Sequence, residues 1–143
     1  GVGSRLTLAM GGKTDSRHGT PLEAEVTVVS IHEGTFEESE IRHGGYTHFD
    51  MGRTTVVQTD TGLTISLTSR RVVPVSLGVV TSIDLDPADF QILIAKGVHA
   101  PVAAYAPVCT ELIRVNTGGA TAADMRTFEY VHRQKPMYPF EEI

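Results

Sequence analysis

Two runs near the start of the chain alternate polar and apolar residues with period two: Arg5-Leu-Thr-Leu-Ala-Met10 and Glu23-Ala-Glu-Val-Thr-Val28. Successive side chains of a strand point to opposite faces, so this alternation predicts half-buried β-strands. Leu63-Thr-Ile-Ser-Leu-Thr68 alternates throughout and follows Thr54-Thr-Val-Val-Gln-Thr59 across Asp60-Thr-Gly62. The pair predicts a hairpin whose loop uses glycine for positive φ. Phe90-Gln-Ile-Leu-Ile-Ala95 is nearly continuous in apolar residues, and Glu111-Leu-Ile-Arg-Val115 is similar. Both have the pattern of central strands covered on both faces. Helical signals are fewer. Residues 99–110, rich in Ala and Val between two strand-like runs, predict a short crossover helix despite Pro101 and Pro107. Thr121-Ala-Ala-Asp124 matches a capping box and predicts a short helix ending near Tyr130. From Arg133 the prolines Pro136 and Pro139 fix φ and predict an extended tail. Together these elements predict an α+β class: a single β-rich domain over residues 1–143, with a mixed, mostly antiparallel sheet and two or three short helices.

Composition narrows the partners. A chain of 143 residues is long enough for one buried core without a covalent staple. The net charge of −5 is interspersed, which leaves no electrostatic footprint for nucleic acid or an anionic membrane. The single cysteine, Cys109, has no partner for an internal disulfide and lies in an apolar stretch, where it reads as a small buried hydrophobe. A reducing, cytoplasmic setting fits. No run has the apolar length of a membrane span, and the opening Gly-Val-Gly-Ser-Arg is not a signal peptide. That opening lacks methionine and already reads as folded sequence, which predicts a fragment of a longer protein; a processed or tag-derived start is the other explanation.

Candidate chemistry begins at Gly11-Gly-Lys-Thr14, which fits the end of a phosphate-binding loop, G-x-x-x-x-G-K-[ST]. The position of that pattern's first glycine is held by Thr7, and the following Asp15-Ser-Arg-His-Gly-Thr-Pro21 has turn chemistry with no helical period. Without a following helix no dipole is available to hold a phosphate, so a structural turn ranks above a nucleotide site. The six histidines do not converge in the manner of a zinc site, which needs three or four ligands. His18, His32, His43 and His48 read as solvent-exposed loop residues, and no metal ligand is assigned. His99 differs because it follows the buried-looking run at Phe90 and stands at the start of the predicted helix; a functional role and simple capping of the helix entry both fit. Arg70 and Arg71 fall on opposite faces if their strand continues, so one of them can reach a carboxylate or carbonyl, or the two can form a solvated surface pair. Ser69 lacks the G-x-S-x-G setting of a nucleophile. The residues by themselves give a β-rich domain with a polar cluster of Lys13, Arg70, Lys96 and His99 at strand ends.

Several separated motifs, in one order along nearly the whole chain, resemble the C-terminal domain of the MlrC family of zinc metallopeptidase-like proteins of microcystin degradation. They are the Gly-Val-Gly opening, Leu8-x-x-Gly-Gly-Lys-x-Asp15 with Gly19 and Pro21, Thr68-Ser-Arg-Arg71, Lys96-x-x-His99 with the Ala-rich segment to Pro107, and Tyr130…Arg133-x-x-Pro-x-Tyr-Pro139. The chain carries Gly97, Ala100 and Thr117-Gly118 where the family pattern has a serine, an aromatic residue and Pro-Gly. The resemblance implies a hydrolase whose zinc and catalytic core lie in an N-terminal domain of the same chain, with no zinc bound by this domain alone and no activity in isolation. It implies that the domain packs on that catalytic domain. There His99 would serve catalysis, and Lys96, Arg70 and Lys13 would bind the carboxylate of a peptide or small amide substrate or stabilise an oxyanion. The alternative is a non-catalytic structural or oligomerisation domain, including a homo-oligomer contact, without direct substrate contact. A stand-alone anion-binding module using Gly11 to Thr14 is a third reading.

Overall fold

The computed structural model describes residues 1–13, 16, 19–40, 44–117, 122 and 124–142. Two compact units are present, Gly1–Leu112 and Ile113–Ile143. The first is built on four strands, β1 (Arg5–Met10), β2 (Leu22–Glu37), β3 (His48–Thr59) and β4 (Thr64–Thr68), in the order β1-β2-β3-β4 with every pairing antiparallel. The β3–β4 hairpin closes as its sequence predicts: Gly62 adopts φ +87°, and its N–H donates to the Thr59 carbonyl at 3.0 Å. The Thr59 N–H in turn donates to Leu63 at 3.0 Å.

β2 is much longer than the alternating run at Glu23–Val28 suggests, because two register shifts reset its phase. Val28 pairs with Val57 while Ser30 pairs with Val56, so Val29 is an extra residue on β2. Beyond such a bulge the side chains change faces, and the period-two pattern in the sequence breaks although the strand continues. The second shift, between Glu33 and Thr35, sets Met51 and Gly52 against the single residue Gly34, so the extra residue is on β3, where Gly52 adopts φ +62°. Asp50 Oδ1 accepts the Gly52 N–H at 2.7 Å, and Thr54 Oγ1 donates to the Gly52 carbonyl at 3.1 Å, which fixes the irregular turn of backbone.

Adjacent residues Val56 and Val57 are both fully buried and belong to opposite faces. On one face Val57, Val26 and Val28 pack with Leu8, Met10, Ala24, Ile65 and Leu67, all from the sheet or its rim, so the sheet curls over its own side chains. On the other face Val56 and Met51 pack against Ile83, with Phe36, Val72, Val79 and Leu85 around them. Apart from Phe36 of β2, this layer comes from the chain after β4, which forms the short helix α1 (Gly78–Thr81) and then a 3-10 turn at Pro87–Asp89, where the Asp86 side chain accepts the Ala88 N–H at 2.9 Å. Helix α2 (Val102–Tyr105) buries Ala104 and Tyr105.

Four expectations are corrected. Residues 90–95 and 111–115 are not strands; Ile92, Ile94, Ile113 and Val115 are exposed at 77%, 86%, 72% and 75%. Their apolar runs record a need for burial, but strand pairing is non-local and this sheet ends at β4. α2 is a single turn and crosses between no parallel strands, because Pro101 sets its start and the chain beyond Tyr105 continues only into a turn toward Pro107. In the second unit, Thr121 lies outside the described residues, and Asp124 caps only a 3-10 turn, Met125–Thr127, accepting the Arg126 N–H at 3.0 Å. The tail folds back locally: Arg133 grips the Glu141 carboxylate with both terminal nitrogens, Nη1 at 2.7 Å, and lies 4.5 Å over the Phe140 ring. Tyr130 meets Phe140 edge-on at 5.2 Å.

Candidate functional site

Strand β4 positions the first elements of a cleft. Its alternation sends Ile65 and Leu67 to the curled face, which leaves Ser66 and Thr68 for the opposite one. Those two hydroxyl residues line an open cleft of about 270 Å³. Its apolar walls come from Met51 of β3, from Val72, Pro74, Val79 and Val80 in the layer after β4, and from Ile94 and Ala95. Tyr105 of α2 and Lys96 complete the lining. Burial pushes the Tyr105 phenol up to about 12, with the neighbouring Cys109 thiol adding to the shift, so the hydroxyl stays neutral and able to donate at ordinary pH. Lys96 is the single charged residue in the lining and is exposed. An apolar trough with hydroxyls and one ammonium suits a small ligand with an apolar body and a carboxylate or carbonyl oxygen. With no carboxylate, imidazole or thiol in the lining, the polar groups of the cleft are the Ser66, Thr68 and Tyr105 hydroxyls and the Lys96 ammonium, all able to donate hydrogen bonds.

The other site residues expected from sequence lie elsewhere. Arg70 pairs with Asp50, its N–H donates to the Met51 carbonyl at 3.0 Å, and its side chain crowds the site where Gly52 lacks a Cβ. It clamps the irregular backbone of β3. His99 is exposed at the entry to α2, where its carbonyl accepts the Val102 N–H at 3.0 Å. Lys13 is exposed beyond β1, after Gly11 and Gly12 at positive φ; a side chain at Gly12 would overlap the backbone of Thr20 and Pro21. No hydrogen bond or ion pair joins any two of Lys13, Arg70, Lys96 and His99, and only Lys96 lines the cleft. Thr14, Asp15, Arg17, His18 and His43 lie outside the described residues. Sequence reasoning missed Ser66, Thr68 and Tyr105; the alternation of β4 carried a signal for the first two, whereas Tyr105 sits in an Ala-rich run with none.

A second cavity, of about 260 Å³, lies between the end of β2 and the start of α1, lined by Glu37, Glu38, Glu40 and Ser76 among others. Ser76 is buried; its hydroxyl donates to Glu38 and accepts the Gly78 N–H at 2.9 Å, so these groups fasten the entry to α1. The expectation of loop histidines fails for two residues. His32 lies within β2 with its side chain only 16% exposed, sharing a hydrogen bond of 2.7 Å with Ser30 and standing 3.9 Å from Asp84. His48 is exposed but opens β3, 3.4 Å from Glu37. Cys109 is half-buried. Among the described residues no group of three or more His, Cys, Asp and Glu side chains can hold a metal ion, so those residues do not fit a zinc site. No helix among them is long and apolar enough to cross a membrane.

Comparison with curated proteins returned no match, and neither did comparison with solved structures. The family described as MlrC C-terminus matches residues 1–132, the whole strand framework and the cleft included. The chain therefore belongs to the MlrC C-terminus family.

Proposed function

We propose that the chain is the C-terminal domain of an MlrC-like zinc-dependent peptidase or amidohydrolase, and that it packs on the catalytic domain and supplies Lys96 to hold a substrate carboxylate. Membership of the MlrC C-terminus family supports the placement. The observation that carries the substrate role is Lys96 as the one charge on an apolar cleft furnished with neutral hydroxyls. Its ammonium would hold an anionic end of the substrate while Ser66, Thr68 and the Tyr105 hydroxyl orient polar atoms and the apolar walls exclude water. Zinc belongs to the catalytic domain in this reading, where it would supply an activated water; the described residues of this chain offer no ligand set for it. His99, exposed one short turn beyond Lys96, would approach the same substrate from the entry of α2.

Replacing Lys96 by Met in the full-length protein should raise KM for a peptide ending in a free carboxylate about tenfold, the effect of one charge-assisted hydrogen bond. The corresponding carboxamide should be hydrolysed equally well by both proteins. An unchanged KM for both substrates would sink the substrate role. It would leave the second reading, a purely structural domain, which the exposed isoleucines at 92, 94 and 113 favour. His99→Ala provides a separate check through turnover, which should fall while bound zinc is retained.

A further inference from the structure

Of the three hydroxyls in the cleft, that of Tyr105 is the one without an outlet in the fold. Tyr105 is 9% exposed, on the single turn of α2, and its backbone is engaged: the N–H donates to the Pro101 carbonyl at 3.0 Å, and the carbonyl accepts the Val108 and Cys109 N–H groups at 3.0 and 3.1 Å. Its hydroxyl bonds to no other described residue. A buried phenol normally finds a hydrogen-bond partner, and a phenylalanine would fill the same space without needing one. Ser66 and Thr68 are exposed and reach water unaided. Among the described residues the fully enclosed side-chain polar atom without a partner is Ser82 Oγ, so the Tyr105 oxygen keeps an opening, and the open space this residue lines is the cleft. An unpaired donor there calls for an acceptor that arrives with a ligand.

The rest of the lining narrows that ligand. Lys96 repels a cation and attracts an anion, a purely apolar molecule would leave the phenol unpaired, and an inorganic anion would leave the apolar walls uncovered. What remains carries an apolar body, an anionic group and a neutral acceptor oxygen. At about 270 Å³ the cleft lies just under the roughly 300–1,000 Å³ of drug-sized ligand pockets, which suits a single residue of a peptide. We propose that Tyr105 is a specificity-determining residue of the cleft: its hydroxyl donates to the amide carbonyl of a carboxy-terminal apolar residue, whose carboxylate meets Lys96 and whose side chain lies on the apolar walls. The inference rests on the peptide reading above and adds the neighbouring group that is read and the class of side chain that is held.

NMR titration of the 143-residue chain tests this with three ligands: N-acetyl-leucine, the analogue in which a propyl group replaces the acetamide, and N-acetyl-leucinamide. N-acetyl-leucine should bind about tenfold more tightly than the propyl analogue, the effect of leaving one buried donor unpaired. Tyr105→Phe should erase that preference by weakening N-acetyl-leucine alone. Lys96→Met should weaken both carboxylates alike and preserve the preference, and N-acetyl-leucinamide should bind the original chain as weakly as N-acetyl-leucine binds Lys96→Met. If Tyr105→Phe leaves the preference intact, or the original chain shows none, the role of Tyr105 is wrong, and the carboxylate reading is judged by Lys96→Met separately. Equal weakening of all three ligands in Tyr105→Phe marks a structural role and overturns the proposal too. An amide bound as tightly as the acid overturns the carboxylate reading on which it rests. Binding of none of the three overturns both.

Discussion

Gly78 shows how one missing side chain can set a layer spacing. A Cβ there would overlap the Phe36 ring, which is stacked on Phe49 at 4.7 Å and cannot easily move away. Gly78→Ala should therefore cost about 1–3 kcal/mol through overpacking, read as a lower urea midpoint with an unchanged slope. Tyr105 gives an optical handle on the cleft. An alkaline titration followed at the phenolate absorbance reads its ionisation. The late step near 12 should be missing in Tyr105→Phe. Because the folded state keeps this proton when the unfolded chain has already lost it, stability should fall as pH rises from about 10 toward about 12. Glu141 has the opposite sign. The hydrogen bonds from Arg133, joined by the Met137 N–H, hold its carboxyl at about 2, below its ordinary 4.5. Its contribution is present above 4.5 and is lost as pH falls through about 2, so the Phe140 ring resonances should shift in that window and should not do so in Glu141→Gln.

At the scale of elements, legibility followed the regularity of the backbone. β1, the hairpin loop and β4 obey one uninterrupted alternation, and their sequence signals agree with the structure within a residue. β2 does not, because the extra residue at Val29 exchanges the faces and hides its second half, including His32, from any period-two reading. The layer after β4 is harder still. Ile83 is 1% exposed and joins Met51 and Val56, yet it sits in a segment with one turn of helix and no sustained period. Ile83→Ala should destabilise the Gly1–Leu112 unit by about 2–5 kcal/mol, since neither the sheet nor so short a helix can close the cavity. A loss well below that range, measured by urea unfolding, would mean that the layer is held by something other than this contact. The setting of Arg70 has a related cause: spacing gives the face on which a side chain starts, but its pairing with Asp50 arises beside the Gly52 irregularity, which spacing does not encode.

For the molecule as a whole, zinc offers a direct check. If zinc belongs to the catalytic domain, as proposed, the chain alone should bind it only with the weak affinity of isolated histidines, as read by calorimetry. Tight stoichiometric binding would place a metal site in this chain and overturn the division of labour proposed here. The amino-acid sequence alone determined the β-rich class, the hairpin and the family, because each rests on local alternation, turn chemistry or motif order. It also marked 90–95 and 111–115 as segments that need burial. Only the tertiary structure decided that the four-stranded sheet does not bury them, that Lys96 alone of the four expected site residues lines a cleft, and that Ser66, Thr68 and Tyr105 join it. Those outcomes depend on which strands pair and where bulges reset the faces. Both are set by non-local packing, to which a local pattern is blind.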